Sequence, residues 1–215
     1  MQLNPEISNM ARYLASSEII DFENLDIQKT AVYLSKDVED EIQLIRTVYE
    51  FVRDSISHSV DISSNKVICR VFENRSFSNT QNVVLKASDV LKYKHGLCFA
   101  NSHLLAAILR YLRVPTGFCY QKLEFDGKMG LHGLNAVFIE SIDKWIRLDA
   151  RGNENGINAQ FSIDNEYLAY SPRKEKNEVD FRVIYAEPNK KVVEILNNSK
   201  NLNEAFDSVF NTEWL

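Results

Sequence analysis

Apolar residues near the beginning of the chain recur at alternating intervals of four and three positions: Val38, Ile42, Ile45, Tyr49 and Val52. This spacing gives a helix one apolar face, and we predict that helix from about Asp37 to about Arg53. The acidic residues at its start carry the charge that the helix dipole favours there. A shorter helix is predicted from Glu6 to Ala15.

The most apolar segment of the chain, CFANSHLLAAILRYLR, runs from Cys98 to Arg113. Leu, Ala and Ile occupy most of its sides, which predicts a buried helix, and Val114-Pro115 is expected to end it. Ahead of this segment, Ser88-Asp89 is predicted to open a short helix and Gly96 to end that helix.

Extended segments then follow one another, at Thr116–Phe125, Leu134–Glu140 and Lys144–Leu148. Turns are predicted between them at Asp126-Gly127 and at residues 141–143, so these strands should form an antiparallel meander. Helices that precede a meander are typical of the α+β class. We therefore predict a buried, cysteine-bearing helix packed on an antiparallel sheet, with further helices at both termini.

The remaining elements are predicted at the edges of this core. Strands are expected at Lys66–Phe72 and Phe181–Ala186, and a closing helix at Lys191–Phe210 is expected to be interrupted around Asn197–Asn203. A length of 215 residues suits one domain. We divide it into a helical N-terminal extension (1–36), a catalytic core (37–153) and a C-terminal strand and helix that complete the domain (154–215).

Composition and charge exclude several classes of protein. Hydrophobic residues make up 45% and charged residues 26%, as in ordinary globular proteins. The net charge of −5 argues against a nucleic-acid partner. The first residues lack the pattern of a signal peptide, and the run Leu104–Leu109 is too short to span a bilayer. We expect a cytoplasmic protein with no membrane partner; its oligomeric state is left open.

The cysteines direct attention to one position. Cys69, Cys98 and Cys119 are odd in number and have no disulfide framework spacing, so their thiols are expected to stay reduced. Cys119 fits a core position in an apolar strand. Cys98 instead opens the most apolar helix two residues after Gly96, where unpaired N–H groups and the helix dipole stabilise a thiolate. Its own backbone N–H is placed to donate to an oxyanion.

A thiol nucleophile needs a base, and the base needs an orienting group. His132 is expected to open one extended segment, and Asp149 closes the next one, with a turn between them. In such a hairpin the beginning of one strand lies beside the end of its partner, so the two side chains should be neighbours. Cys98, His132 and Asp149 are therefore our candidate catalytic residues.

These segments resemble the core of transglutaminase-like domains, which are papain-like thiol enzymes. The resemblance rests on Ala87-Ser88-Asp89-Val90-Leu91, Gly96-Leu97-Cys98, Leu104 to Arg110, Val114-Pro115-Thr116, His132 and Trp145-Ile146-Arg147-Leu148-Asp149. It covers about residues 83 to 153. It implies that Cys98 is the nucleophile, His132 the general base and then acid, and Asp149 the residue that orients the imidazole.

The resemblance also sets expectations about substrate and cofactor. It implies a thioester intermediate formed from a peptide or protein amide, or from a small amide, with no cofactor and no metal. Hydrolysis of a peptidase or amidase type is favoured over acyl transfer. Gly133 and Leu134 follow His132, where many relatives have an aromatic and then an acidic residue, so the substrate groove should differ. Two alternatives stay open: an inactive peptide-binding scaffold of the same fold, and a thioester-dependent acetyltransferase.

Other residues near these elements have competing explanations. Gly96, Trp145, Arg151 and Asn153 are weak candidates for substrate binding, although Trp145 fits a core aromatic and the other polar residues fit a surface loop. His95 and His103 flank Cys98, but the pattern lacks a second matched pair of zinc ligands. His103 is better explained by packing or a hydrogen bond on the buried helix.

Overall fold

The computed structural model describes residues 3–64 and 83–214. Within these residues the α-helices are α1 (Leu25–Ser35), α2 (Glu41–Ser55), α3 (Ser59–Ser64), α4 (Ala87–Tyr93), α5 (Cys98–Tyr111), α6 (Lys190–Asn198) and α7 (Leu202–Phe210). The predicted strand at Lys66–Phe72 and the cysteine Cys69 lie outside the described residues. Among the described residues, no helix is both long and apolar enough to cross a membrane.

The strands form one main sheet and two short pairs. Strands β4 (Thr116–Phe125), β5 (Lys128–Ile139), β6 (Lys144–Leu148) and β7 (Val179–Asp180) make an antiparallel sheet in the order β6-β5-β4-β7. Strand β1 (Asn4–Pro5) pairs in parallel with β8 (Val183–Ile184), and β2 (Ser57–His58) with β3 (His95–Gly96). Helix α5 packs against β4 and β5. The predicted α+β class, with a buried cysteine-bearing helix on an antiparallel sheet, is confirmed.

The periodic segment near the beginning of the chain forms helix α2, as predicted, although it begins later. Asp40 is the N-cap, and its side chain accepts a hydrogen bond from the Gln43 N–H at 2.7 Å. Asp37 lies before the helix with a φ of 60°. Because the cap side chain satisfies an otherwise unpaired N–H, it fixes the helix start at Glu41.

The N-terminal prediction is wrong in detail. Glu6–Ala15 is not an α-helix; a 3₁₀ helix at Met10–Leu14 lies within it, with Asn9 as its cap. Two helices were not predicted from the sequence, α3 and α1; the N-cap of α1, Asn24, accepts from the N–H groups of residues 26 and 27. Helix α1 buries Ile27, Ala31 and Leu34, which follow the helical intervals of four and three.

The turn before Cys98 differs from the prediction. Helix α4 ends at Lys94, which adopts a left-handed φ of 61°, and Gly96 lies beyond it in strand β3. A Cβ on Gly96 would lie 2.7 Å from Oδ1 of Asn101 and 2.9 Å from Cβ of Ala100. Gly96 is therefore needed for the close approach of β3 to helix α5, and the prediction that it ends the preceding helix is wrong.

Two strands of the meander have the predicted bounds, and the middle one is longer. Strands β4 and β6 match, but β5 begins at Lys128 instead of Leu134. The tight turn at Asp126 and Gly127, with φ of 50° and 78°, joins β4 directly to β5. His132 consequently lies inside β5, opposite Gln121 of β4, and does not open the strand as expected.

The C-terminal part follows the prediction in outline. The expected strand at Phe181–Ala186 is reduced to β8, because the chain leaves β7 and pairs with β1 instead. Tyr185 then forms a bridge to Phe118 of β4. The closing helix is interrupted as predicted, and its two parts are α6 and α7.

Candidate active site

The imidazole of His132 is hydrogen-bonded to the carboxylate of Asp149. Nε2 of His132 lies 2.8 Å from Oδ2 of Asp149, and the two residues are 4% and 0% exposed. His132 comes from the inner part of β5, and Asp149 follows the last residue of β6. The antiparallel pairing of β5 and β6, with Asn135 opposite Leu148, brings the two side chains to the same end of the sheet.

Asp149 is held as a buried carboxylate by several donors besides His132. Oδ2 accepts from the Ala169 N–H at 3.0 Å, and Oδ1 from the Arg151 N–H at 3.3 Å. Burial raises the pKa of Asp149, but the charge of His132 and these hydrogen bonds outweigh it and lower the pKa. The Tyr49 hydroxyl also donates to the backbone carbonyl of Asp149 at 3.2 Å, which fixes the main chain.

Cys98 is the first residue of helix α5, and its side chain faces His132. Leu97, the N-cap, provides no side-chain hydrogen bond to the first turn of the helix. The imidazole of His132 and the Cys98 side chain line the same cleft, and the Gly133 N–H donates to the Cys98 sulfur at 3.5 Å. Because Nε2 of His132 is bonded to Asp149, Nδ1 is the ring nitrogen that is available to the sulfur.

The electrostatics of this trio favour a charged imidazole. Burial lowers the pKa of His132, but the charges of Asp149 and Cys98 raise it to about 10. A histidine with that pKa is an imidazolium at neutral pH, and its positive charge is balanced by the carboxylate of Asp149.

Glycine allows the strand and the helix to approach closely at this point. A Cβ on Gly133 would lie 2.6 Å from Cδ1 of Phe99, the residue after Cys98. The departure from the common pattern after the histidine therefore has a packing explanation: the small residue lets helix α5 seat against β5.

A cleft of about 240 Å³ opens in front of Cys98 and His132. One of its walls comes from the helix start and the strands, with Phe99, Phe125 and Leu131. The C-terminal helix α7 forms another wall of the cleft, through Phe206, Val209 and Phe210. The C-terminal helix thus lines the cleft.

The comparisons with known proteins identify the family. The family model of the transglutaminase-like superfamily matches residues 28–150, which is more than half of the chain. This chain belongs to the transglutaminase-like superfamily. A search of curated proteins found no match to the sequence.

The first of three similar solved structures shows the fold of this transglutaminase-like chain. A putative cysteine protease from Cytophaga hutchinsonii superimposes with a TM-score of 0.50 at 16% identity, over 67% of this chain and 43% of that chain. A putative protease from Parabacteroides distasonis gives a TM-score of 0.41 at 10% identity, over 76% and 32% of the two chains. A structure described as a TGase gives 0.38 at 12% identity, over 98% and 54%. The chain thus spans less than half the length of the first two structures.

Arg151 is the one weak candidate for substrate binding that lines the cleft of this transglutaminase-like chain. Its guanidinium donates to both carboxylate oxygens of Asp61, at 2.5 and 3.1 Å, and to the Tyr170 hydroxyl at 3.1 Å. The Tyr170 ring in turn packs edge-on against His132, with centroids 5.0 Å apart. Arg151 therefore braces the imidazole through Tyr170, while its charge is balanced by Asp61.

The other three weak candidates lie elsewhere in the described structure. Gly96 packs under helix α5, and Trp145 packs against Tyr13 and Phe138 away from the cleft. The Asn153 side chain bonds to both backbone groups of Ala159, which closes a loop, and it lines a neighbouring groove. None of these three is among the described residues that line the cleft.

Cys119 and His103 are both buried in the core. Cys119 is fully buried, and burial raises the pKa of its thiol to about 12, so the core assignment is confirmed. Nδ1 of His103 lies 2.9 Å from the Leu85 carbonyl oxygen, as expected for a buried, hydrogen-bonded histidine. In the described part of the chain, no group of three or more His, Cys, Asp or Glu side chains is arranged to hold a metal.

Sequence analysis missed His58, Asp61 and Tyr170. His58 and Asp61 lie at the end of β2 and in helix α3, about 40 residues before Cys98, and no spacing rule links them to it. Tyr170 lies in the loop between β6 and β7. If Arg151 is buried, it needs an acidic partner, and this is the only sequence signal that bears on Asp61. The sequence does not reveal which acidic residue that partner is.

Proposed function

We propose that the chain is a thiol enzyme that breaks amide or related acyl bonds through a thioester on Cys98, and that it acts as a hydrolase. The observation that carries this proposal is the placement of His132, which hydrogen-bonds to Asp149 and lines one cleft with Cys98, the first residue of a helix. Such a chain of nucleophile, base and orienting acid is the arrangement that activates a nucleophile.

In the proposed first half-reaction, the Cys98 thiolate attacks the carbonyl carbon of the substrate and the carbonyl oxygen becomes an oxyanion. The backbone N–H of Cys98 donates to that oxyanion. The intermediate then collapses: the bond from carbon to the leaving group breaks, and His132 gives its proton to the leaving amine. The products are a free amine and a thioester on Cys98, with His132 neutral.

In the second half-reaction, neutral His132 takes a proton from water, and the oxygen of that water attacks the thioester. The carbon–sulfur bond then breaks, which releases a carboxylic acid and restores the thiolate and the imidazolium. Asp149 holds the imidazole in the required orientation throughout and keeps its own negative charge. Hydrolysis is favoured over transfer to an amine because water needs no binding site of its own.

The cleft gives less support to the two alternatives. A thioester donor such as coenzyme A carries phosphates, yet Arg151, the one Lys or Arg side chain among the described cleft-lining residues, is already paired with Asp61. A peptide-binding scaffold has no need for a buried imidazole between a carboxylate and a thiol. Burial of these ionisable groups lowers the stability of the fold, and groups of this kind are typical of catalytic sites.

The test is detection of the thioester. The protein is mixed with p-nitrophenyl acetate and quenched in acid, and its intact mass and tryptic peptides are measured. We expect one acetyl group on Cys98 and a burst of p-nitrophenol of equal size, both absent from Cys98→Ala. A burst that persists in Cys98→Ala, or acetylation confined to other residues, would contradict the proposal.

A further inference from the structure

The C-terminal helix gives the cleft an apolar wall. The ring of Phe210 lies against β5 so closely that a Cβ on Gly130 would be 2.2 Å from its Cε1 atom. Phe206 stacks on Phe210 with ring centroids 4.4 Å apart, and its side chain is half-exposed at the cleft. Helix α7 lies outside residues 28–150, so this wall is added to the part of the chain that matches the family.

Aromatic rings continue from this wall to the candidate base. Phe210 meets Phe125 edge-on at 5.5 Å, Phe125 meets Tyr170 at 5.4 Å, and Tyr170 meets His132 at 5.0 Å. A group bound along these rings would therefore have its reacting carbonyl beside Cys98 and its other end against helix α7. Aromatic and aliphatic side chains of this kind gain free energy when they cover apolar surface.

The cleft offers no free charge among its described lining residues. The Arg151 guanidinium is bound by both oxygens of Asp61 and by Tyr170. His132 is paired with the carboxylate of Asp149. A carboxylate or ammonium group in this cleft would lose its hydration without gaining an ion-pair partner, so its binding is disfavoured.

From this arrangement we propose that the acyl half of the substrate is an uncharged aliphatic or aromatic group, bound between the Phe125 ring and helix α7 with its carbonyl at Cys98. This inference rests on the proposed function for the position of the carbonyl. The binding of the apolar group itself needs only the cleft.

The experiment measures binding in the Cys98→Ser variant, so that its outcome does not depend on turnover. Calorimetry or NMR titration compares hexanamide, acetamide and the anionic monoamide of adipic acid. We expect hexanamide to bind about 10²-fold more tightly than acetamide, since each buried methylene contributes a factor of about three to four. The adipic monoamide should bind at least about tenfold more weakly than hexanamide.

Variants locate the binding surface. Phe210→Ala in the Cys98→Ser background should lower the affinity for hexanamide about tenfold, and Phe206→Ala by a smaller factor because this ring is half-exposed. Phe138→Ala is the matched control, since Phe138 packs on Trp145 outside the cleft. Equal affinity for all three amides, tighter binding of the anionic one, or an equal effect of Phe138→Ala would overturn the proposal. An absence of Cys98 acetylation with preserved hexanamide binding would count against the proposed function alone.

A second observation, independent of the apolar wall, concerns His58. Strand β2 pairs with β3 so that His58 lies opposite Gly96, two residues before Cys98. The His58 side chain is 8% exposed and lines the cleft together with Cys98 and His132. Its Nδ1 atom is buried without a hydrogen-bond partner among the described residues. An unpaired buried nitrogen of this kind needs an explanation because burying a polar atom without a partner is destabilising.

His58 is also uncharged at neutral pH. Burial and the neighbouring Arg151 lower its pKa to about 3, although the carboxylates of Asp61 and Asp149 act in the opposite direction. A neutral imidazole carries one N–H group, through which it can donate a hydrogen bond without giving up the proton. Nδ1 can carry that proton, because no neighbouring donor requires Nδ1 to act as an acceptor.

We infer that His58 supplies the second donor to the oxyanion, beside the backbone N–H of Cys98. No proton is transferred in this role: the N–H of His58 donates a hydrogen bond to the negatively charged oxygen as the tetrahedral intermediate forms. This inference also rests on the proposed function, because an oxyanion arises only if Cys98 attacks a carbonyl.

Two reactions of Cys98 separate this role from a structural one. Acylation by p-nitrophenyl acetate passes through an oxyanion, whereas alkylation by iodoacetamide does not. In His58→Phe, which keeps a ring but has no donor, acylation should be slowed about 10²- to 10³-fold. Alkylation should change by less than about threefold, since the oxyanion contribution is absent from it. His58→Gln, which restores an N–H donor, should recover part of the acylation rate.

The outcomes are distinct from one another. Equal losses of acylation and alkylation in His58→Phe would show that His58 only supports the fold near Cys98, and would overturn the inference. Unchanged acylation in His58→Phe would overturn it as well. A wild-type protein that is never acylated at Cys98 would instead refute the proposed function, and the role of His58 with it.

Discussion

The imidazole of His132 and the carboxylate of Asp149 are joined by a hydrogen bond of 2.8 Å in a region almost withdrawn from solvent. The carboxylate also accepts two backbone N–H bonds, so it is a fixed part of the fold as well as a partner of the ring. Because the pair is buried, a change to either residue affects both the ring orientation and its charge.

The first prediction concerns Asp149→Asn. The amide keeps the shape of the side chain but removes the charge that holds His132 as an imidazolium, so kcat for hydrolysis should fall about 10²- to 10⁴-fold. Steady-state kinetics and the burst of p-nitrophenol measure this. Asp143→Asn is the matched control: Asp143 is exposed in the turn before β6, with a φ of 49° that asparagine also adopts. A comparable loss in the control would show that the effect is not specific to the site.

The second prediction concerns the leaving group at high pH. His132, whose pKa is raised to about 10, is protonated below that pH and loses its proton as the pH rises through it. A p-nitroanilide needs that proton for its leaving amine, whereas a p-nitrophenyl ester does not. We expect kcat/KM for the anilide to fall as the pH rises through about 10, while the acylation rate with the ester is maintained. Parallel profiles for the two substrates would contradict a proton donor at His132.

A third prediction tests the close contact between β5 and helix α5. Gly133→Ala would place Cβ 2.6 Å from the Phe99 ring, and such overpacking costs about 1–3 kcal/mol of folding stability. The displaced helix start should also slow alkylation of Cys98. Phe99→Leu should partly restore both properties in the double variant. Denaturant unfolding and a double-mutant cycle measure this coupling, and strictly additive effects would argue against the contact.

The fourth prediction compares a buried ion pair with an exposed one. The side chains of Arg151 and Asp61 are 8% and 4% exposed, so Arg151→Met, which leaves the carboxylate unpaired, should cost about 3–5 kcal/mol. Replacing both residues by apolar ones should cost less than the sum of the single changes. The exposed pair Arg12 and Glu187, at 51% and 41%, is the control and should contribute at most about 1 kcal/mol. Similar values for the two pairs would mean that Arg151 is more hydrated than its burial implies.

The fifth prediction concerns stability at mildly acidic pH. Burial lowers the pKa of His103 to about 4, so this residue stays neutral in the native state while it becomes charged on unfolding. The unfolded state therefore binds more protons between about pH 4 and the ordinary histidine pKa of about 6.5, and stability must rise with pH across that window. His103→Gln should reduce the slope of this rise in urea unfolding experiments, and His58, whose pKa is also lowered, should keep part of it. An unchanged slope would show that other groups govern acid sensitivity.

His132 acts in the opposite direction on stability. Its folded pKa lies above the unfolded value, so its contribution is fully present below about pH 6.5 and is lost as the pH rises through about 10. The two histidines together predict a stability maximum between these windows. The pKa of His103 is lowered by burial and by the charge of Arg110, whereas the pKa of His132 is raised, against the effect of burial, by the carboxylate of Asp149.

The elements with strong local signals were predictable from the sequence. Strands β4 and β6 have the predicted bounds because turn residues flank them closely, and helix α5 is marked by its continuous apolar composition. The proximity of His132 and Asp149 followed from strand pairing alone. Helix α1 was missed although Asn24 and the interval pattern of its buried residues were available.

The rest of the site depends on contacts between distant parts of the chain. His58 reaches the cleft because β2 pairs with β3, and each of these strands has only two residues, too few for a periodic signal. The role of Phe210 is set by its packing on Gly130 across about 80 residues of sequence. An amphipathic pattern reveals that a helix has a buried face but not what that face covers.

The most direct test of the account is the pH dependence of iodoacetamide alkylation, followed site by site by mass spectrometry in wild type and His132→Ala. We predict that Cys98 in the wild type reacts rapidly at pH 6, that His132→Ala abolishes this fast reaction, and that the fully buried Cys119 stays unreactive in both. If Cys98 in the wild type reacts no faster than in His132→Ala across the pH range, His132 does not activate it. That result would contradict the proposed catalytic trio.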